Sequence, residues 1–286
     1  MKLRDRRLHD APWLQMNDDA MVHAFLSRFT ISDNGPESPL FQITDAFKQI
    51  PFENLTKIIK ADSVVSAASA KRYPDEVIGN FLRYGTGGTC FSLTAATVAM
   101  LDAVGINAYP VLADRHYGAD THCGLIIMRP DGSVLLLDPG YLLFSPIALP
   151  VDLPSFFDTG FNRIELKPLA GGSRIELYTI VKGNRKLRLT FKIDPVSDEA
   201  FGRAWERSFA FEMMSYPVLT RQVNGAHHYL QGYVLALRDA QRTKRFTLTP
   251  EGQLDFICNS MNIHRDIVTQ ALEIVNHGSA ATTASR

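Results

Sequence analysis

The chain has 286 residues, 45% of them hydrophobic and 21% charged, the balance of an ordinary globular protein. Lys+Arg and Asp+Glu are 30 each, so nothing in the charge points to a nucleic-acid or membrane partner. The cysteines are Cys90, Cys123 and Cys258. An odd, sparse set makes no disulfide framework and fits a reducing, cytoplasmic setting.

At roughly 150 residues per domain the length suggests about two domains, or one with elaborations. The N-terminal charges have no apolar h-region behind them, so no secretory signal is expected. No apolar run approaches the ~18 residues of a membrane span. Lys2, Arg4, Arg6 and Arg7 read as a solvated terminus.

The first region, 1–85, reads as a helical bundle. Asp18-Asp19 can cap residues 20–29, where Met21, Phe25 and Phe29 recur at helical spacing. Asn34-Gly35-Pro36 breaks the chain. Leu40, Ile43 and Phe47 mark a second helix, 63–70 a loop or poor helix, and 75–84 a further helix. The second region, 86–195, follows a glycine-rich turn. The spacing predicts a helix over 90–104 with one apolar stripe, Ala95, Val98, Leu101 and Val104. Strands are predicted at 106–113, 123–129, 134–138, 176–182 and 186–192, a pattern suited to a small antiparallel barrel or sandwich. The third region, 196–277, mixes a helix near 198–211, strands at 228–239 and 245–248, and helices at 254–261 and 264–275. Residues 278–286 read as a disordered tail.

Cys90 follows the glycine turn and opens the predicted helix. A helix N-terminus carries partial positive charge and unpaired N–H groups. These stabilise a thiolate and can receive an oxyanion. A buried structural cysteine is the commoner fate of a lone Cys, so position alone leaves both readings open.

The hairpin 129–133 brings in two partners. Arg129-Pro130-Asp131-Gly132-Ser133 suits a three-residue loop with Gly132 left-handed. That turn pairs residues whose numbers sum to 262. Gly124 then faces Asp138, and His122 faces Gly140. His122 and Asp138 become diagonal neighbours on one face, about 7–8 Å apart at the backbone. Glycines 124 and 140 leave room around them. Cys123 falls on the other face, which argues against it as nucleophile. A two-residue loop would undo the arrangement. His122 would act as acid and base for the Cys90 thiol, with Asp138 orienting the ring.

Other motifs carry less. The turn 85–88 lacks the lysine of a phosphate loop. His227-His228 has no ligand partners at metal spacing and reads as structural, and Cys258 reads as core. No C-x-x-C or H-E-x-x-H occurs, so no metal is expected.

Several segments are similar to motifs of the arylamine N-acetyltransferases. The stretch Thr86-Gly87-Gly88-Thr89-Cys90-Phe91-Ser92-Leu93-Thr94 resembles the family's Arg-Gly-Gly-x-Cys-Phe-Glu-Leu-Asn. Ile50-Pro51-Phe52-Glu53-Asn54-Leu55 carries another motif intact. Thr121-His122 matches a Thr-His segment. Asp138-Pro139-Gly140-Tyr141-Leu142 resembles Asp-Val-Gly-Phe-Gly. The similarity is clear over about residues 20–150.

It implies an α+β fold: an N-terminal helical bundle, a central antiparallel β-barrel and a C-terminal α/β lid, with a papain-like Cys90, His122 and Asp138. It implies ping-pong transfer of acetyl from acetyl-CoA, through Cys90, to an arylamine, hydrazine or hydroxylamine, with no bound cofactor. Phe52, Gly88, Phe91, Gly140 and Tyr141 align with residues beside the thiol and acceptor. Thr86 stands in place of the family's Arg, which leaves Glu53 wanting a cation that Arg83 could supply. Ser92, Thr94 and Leu142 are further departures. Amide synthesis on another acyl substrate, a transglutaminase-like reaction and a non-catalytic binding role stay open.

Overall fold

The computed structural model of the chain describes residues 1–4, 8–35, 37–149, 152–169 and 171–284. Helices α1 (Asp19–Arg28), α2 (Pro39–Phe47), α3 (Leu55–Ser63) and α4 (Pro74–Tyr84) come first, with a short strand β1 (Phe52–Glu53) between α2 and α3. The Asp18 carboxylate caps α1 by accepting from Ala20 N at 2.9 Å. Proline at the first turn starts α2 and α4, where the missing N–H costs nothing. Gly85, at φ +69°, ends α4 and donates its N–H to Phe81 O. The helix α3 was not apparent in the sequence.

Helix α5 (Cys90–Ala103) runs through the centre of the molecule. All fourteen of its residues are buried, so the single stripe expected from the sequence is corrected to a helix covered all round. Its buried polar groups find partners. Thr97 donates to Leu93 O at 2.7 Å. Asp102 accepts from Arg4 at 2.5 Å and from Leu8 N at 2.8 Å. Arg4 therefore ties the N-terminal segment to α5, where a solvated end was expected; Arg6 and Arg7 lie outside the described residues.

The next strands are β2 (Asn107–Arg115), β3 (Gly118–Met128), β4 (Val134–Asp138), β5 (Leu143–Ala148), β6 (Ser155–Asp158), β7 (Arg163–Pro168), β8 (Arg174–Val181) and β9 (Asn184–Lys192). They form one curled antiparallel sheet in the order β5-β4-β3-β2-β9-β8-β7-β6. Among the described residues β5 does not pair with β6, so the sheet stays open where a barrel was expected. Pro146, which has no N–H to donate, suits β5 to an edge.

Helix α6 (Asp198–Arg207) follows, capped by Ser197. Strands β10 (Val218–Val223), β11 (Ala226–Gln231), β12 (Val234–Arg238) and β13 (Thr243–Thr247) make a second sheet with β1, in the order β1-β10-β11-β12-β13. Helices α7 (Pro250–Asp255) and α8 (Arg265–Ala284) end the chain. Helix α8 continues through most of the segment read as a disordered tail, because Ala-rich 279–284 favours helix. Ser285 and Arg286 lie outside the described residues.

The cores do not follow the three sequence regions. The largest joins Val22, Phe25 and Phe47 to α5 and takes Phe201, Trp205 and Val218 from the third region. Another packs Leu55 of α3 against Leu219, Leu230 and Val268. Among the described residues no helix is long and apolar enough to cross a membrane.

Candidate active site

Cys90 is the first residue of α5 and is 8% exposed. Thr89 occupies the cap position without a side-chain hydrogen bond, so the first N–H groups of α5 are left for a ligand. The turn before it is held from below. Glu53 N donates to Gly88 O at 3.0 Å, and Glu53 Oε1 accepts from Gly87 N at 3.2 Å. A Cβ on Gly87 would sit 1.8 Å from Pro51 O, so only glycine fits there.

The buried cation beside Glu53 is Arg72, not Arg83. Its guanidinium lies 3.6 Å from Glu53 Oε1, donates to Gly87 O at 2.6 Å and bonds the Thr56 hydroxyl. Sequence position gave no hint of this, since Arg72 lies outside every helix in the Lys71–Tyr73 linker before α4.

The β3–β4 hairpin has the expected register. Leu125 faces Leu137, Ile127 faces Leu135 and Met128 faces Val134, each pair summing to 262. Arg129 N donates to Ser133 O at 3.0 Å, and Gly132 has φ +79°. His122 and Asp138 are fully buried, with Nε2 and Oδ2 2.7 Å apart. Asp138 Oδ1 accepts from Tyr141 N at 2.9 Å, which fixes the carboxylate. After Asp138 the chain leaves the sheet in a short 3-10 turn, residues 139–141. This turn sets Gly140 against the cysteine: a Cβ there would lie 2.6 Å from Cys90 Cβ and 3.1 Å from His122 Cε1. Cys90 and His122 thus meet at one glycine, with Asp138 bonded to the far side of the ring.

A residue missed in the sequence completes the group. Arg115 Nη2 lies 2.8 Å from His122 Nδ1. An arginine can only donate, so in this arrangement Nδ1 accepts and the ring proton sits on Nε2, facing Asp138. A register irregularity between β2 and β3 at Ala113 and Arg115 aims the guanidinium inward. That irregularity hid Arg115 from a simple pairing argument.

Hydrogen bonding from Cys123 holds the Cys90 thiol well below its ordinary range; burial opposes this, and His122 and Arg115 reinforce it. Burial pushes Cys123 well up, so it stays a neutral donor. Cys123 does lie on the opposite face of β3 from His122, but that face meets α5, and its thiol also reaches Thr94 Oγ1 at 3.5 Å. Burial works against charge on His122, but Asp138 and Cys90 outweigh it and raise the imidazole.

A cavity of about 450 Å³ opens above Cys90. Phe52, Phe91, Gly140 and Tyr141 line it. Phe91 also packs on Phe201 and Trp205. Gly88 does not line it; the room its missing side chain leaves is taken by Ser92 Oγ. Lys57, Arg188, Arg238 and His227 line the cavity and were not foreseen. His227 stacks on Phe161 with centroids 4.4 Å apart, contacts Thr220 Oγ1 at 2.6 Å and is pushed down to about 4 by burial, Arg238 and His228. Burial brings Lys57 down to about 7, and it donates to Ser208 O and Oγ. Among the described residues no cluster of His, Cys, Asp and Glu could hold a metal.

Solved structures with the same α+β fold resemble this one. The arylamine N-acetyltransferase from Nocardia farcinica superposes with a TM-score of 0.74 at 20% identity, covering 92% of this chain and 98% of its own. That from Mycobacterium marinum, in complex with CoA, gives 0.74 at 15% identity, over 89% and 98%. One from Bacillus cereus, described as having a Cys-His-Glu catalytic triad, gives 0.68 at 18%, over 87% and 100%. No family model and no curated protein matches the sequence. The chain therefore has the fold of the arylamine N-acetyltransferases.

Proposed function

We propose that the protein transfers a short acyl group from an acyl-CoA thioester, through Cys90, to an aromatic amine, hydrazine or hydroxylamine. The observation that carries this is the seating of Cys90 at an uncapped helix start, against Gly140 and beside the bonded His122–Asp138 pair. The fold shared with arylamine N-acetyltransferases, one of them solved with CoA, supports the same reading.

The Cys90 thiolate adds to the thioester carbonyl, and the N–H groups at the start of α5 receive the oxyanion. The bond from carbonyl carbon to CoA sulfur breaks, and CoA leaves with a proton from His122. The amine then attacks the Cys90 thioester. His122 takes the amine proton, and the Cys90 thiolate is expelled. Asp138 keeps the ring oriented through both steps and steadies its charged form. Phe52 and Tyr141 offer aromatic walls to the acceptor. The sheet β10–β13 closes the cleft from the third region.

Mixing the protein with acetyl-CoA and weighing it intact tests the reading. We expect one acetyl group, on Cys90, discharged on adding an arylamine. Cys90→Ala should fold and take up none. An unmodified wild-type protein with every acyl-CoA offered would refute the proposal.

A further inference from the structure

Cys123 is a buried thiol that the acyl-transfer steps leave unused. It is fully enclosed and belongs to the same core as Cys90. Cys90 and Thr94 lie one turn apart on α5, so they share a face. The Cys123 sulfur meets both. It reaches Thr94 Oγ1 at 3.5 Å and hydrogen-bonds the Cys90 sulfur. Strand β3 therefore lays a second thiol across the first turn of α5. Two sulfurs in such contact have little way to travel to the ~2.0 Å of a disulfide.

The pair is unequal in access and in charge. Cys90 lines the cleft, and Cys123 does not. The thiolate form is the one that reacts with an oxidant, and the contacts around Cys90 favour it while burial keeps Cys123 protonated. A small oxidant entering the cleft meets Cys90 first and finds Cys123 directly behind it. Cys258 takes no part: it packs against the separate core under β10, β11 and α8, and burial pushes its thiol up.

We propose that Cys90 and Cys123 form a reversible redox pair, with a small hydroperoxide as oxidant and Cys123 as the thiol that closes the disulfide. The Cys90 thiolate attacks the terminal peroxide oxygen. The O–O bond breaks, and the departing alkoxide or hydroxide takes up a proton. Cys90 becomes a sulfenic acid, having given two electrons to the peroxide. Cys123 then loses its proton, its sulfur attacks the Cys90 sulfur, and the S–O bond breaks to release water. Two thiols and one hydroperoxide thus give a disulfide, an alcohol (or water) and water. The first step prepares the second. Burial does most to keep Cys123 protonated, but the hydrogen bond to Cys90 and the charge on Cys90 add to it, and both go when Cys90 is oxidised. Thr94 already favours the Cys123 thiolate. While the disulfide stands, no thiolate at Cys90 can take an acyl group. The bond also stops Cys90 short of the sulfinic acid, which thiols do not reverse. None of this requires the acyl-transfer reading.

Mass spectrometry of the full-length protein tests the proposal without turnover. The reduced protein is treated with hydrogen peroxide in slight excess, alkylated with iodoacetamide in denaturant, and weighed intact and after tryptic digestion without reductant. Arg115 lies between the two cysteines, so trypsin separates them unless they are bonded. We expect the loss of two hydrogens, a cross-linked pair of peptides holding Cys90 and Cys123, and an alkylated Cys258. Dithiothreitol should return both thiols. In Cys123→Ser the same treatment should carry Cys90 on to sulfinic and sulfonic acid, with the reductant-recoverable fraction lost; Cys123→Ala serves if serine disturbs the core. Cys258→Ser should leave the cross-link in place. A wild-type Cys90 that stays reduced, that gains oxygens without a cross-link, or that bonds a second molecule instead overturns the proposal. So does a Cys123→Ser protein that recovers as fully as wild type.

Discussion

Arg115 alters what His122 can be. A cysteine–histidine pair is usually drawn as thiolate and imidazolium. Arg115, donating to Nδ1, works against the charged ring while Asp138 and Cys90 favour it, and the cation near Cys90 that persists at any pH is the guanidinium. The sign of its effect is clear: a positive charge favours the charged thiol, so removing it must raise the Cys90 pKa. We therefore expect wild-type Cys90 to be alkylated at a rate nearly flat across about pH 8.5, where a free thiol ionises. In Arg115→Gln the rate should climb with pH through a higher inflection. Intact-mass measurement of iodoacetamide uptake against pH reads this directly, and an unmoved inflection would remove Arg115 from the account. The residues proposed to react, Cys90, His122 and Asp138, were legible from sequence. Glycines flank Cys90, and one turn type fixed His122 and Asp138 on a common face. Arg115 was not legible, because the irregularity between β2 and β3 breaks the simple count that would have paired it.

The same contrast holds among elements. The β3–β4 hairpin was readable because Pro130-Asp131-Gly132 dictates its register locally. Strands β5, β6, β7 and β10 were not, since their pairing depends on distant partners; β10 pairs with β1, far off in the chain. The 3-10 turn after Asp138 was equally hidden, yet it carries the close contact of the site. Gly140 allows that contact by lacking a side chain. In Gly140→Ala the new methyl would meet Cys90 Cα at 2.8 Å and Cβ at 2.6 Å. The turn must retreat, taking Tyr141 and its bond to Asp138 with it. We expect the rate of Cys90 acylation, measured in a single turnover, to fall by about 100-fold, the penalty for shifting a reacting group by around 1 Å. Far-UV circular dichroism should be unchanged. A rate within a few-fold of wild type would mean that the close approach of Gly140 is incidental.

Across the whole molecule, the six residues Ile50–Leu55 do more than their motif suggested. Phe52 lines the cleft, Glu53 holds the turn before Cys90, and Leu55 enters the core shared with β10, β11 and α8. Asn54 joins the two halves. It is fully buried. Its Nδ2 donates to Met213 O at 2.5 Å and Tyr216 O at 2.8 Å, and its Oδ1 accepts from Val218 N at 2.7 Å. One amide thus fastens the chain after α2 to the entry of β10, more than 150 residues later. Val218 and Tyr216 line the cleft, so the same bonds set its far wall. Asn54→Ala would strand a buried N–H and two part-buried carbonyls. Each such group costs about 1–3 kcal/mol, so we expect a loss of about 3–5 kcal/mol in urea unfolding, at the high end for one substitution. Asn54→Asp keeps the acceptor for Val218 N but loses both donors and buries a charge, so it should be no less damaging. Because Val218 and Tyr216 move with the anchor, substrate affinity should weaken while the alkylation profile of Cys90, held from the α5 side, stays in place. A variant of wild-type stability would show that β1 and β10 need no such fastening.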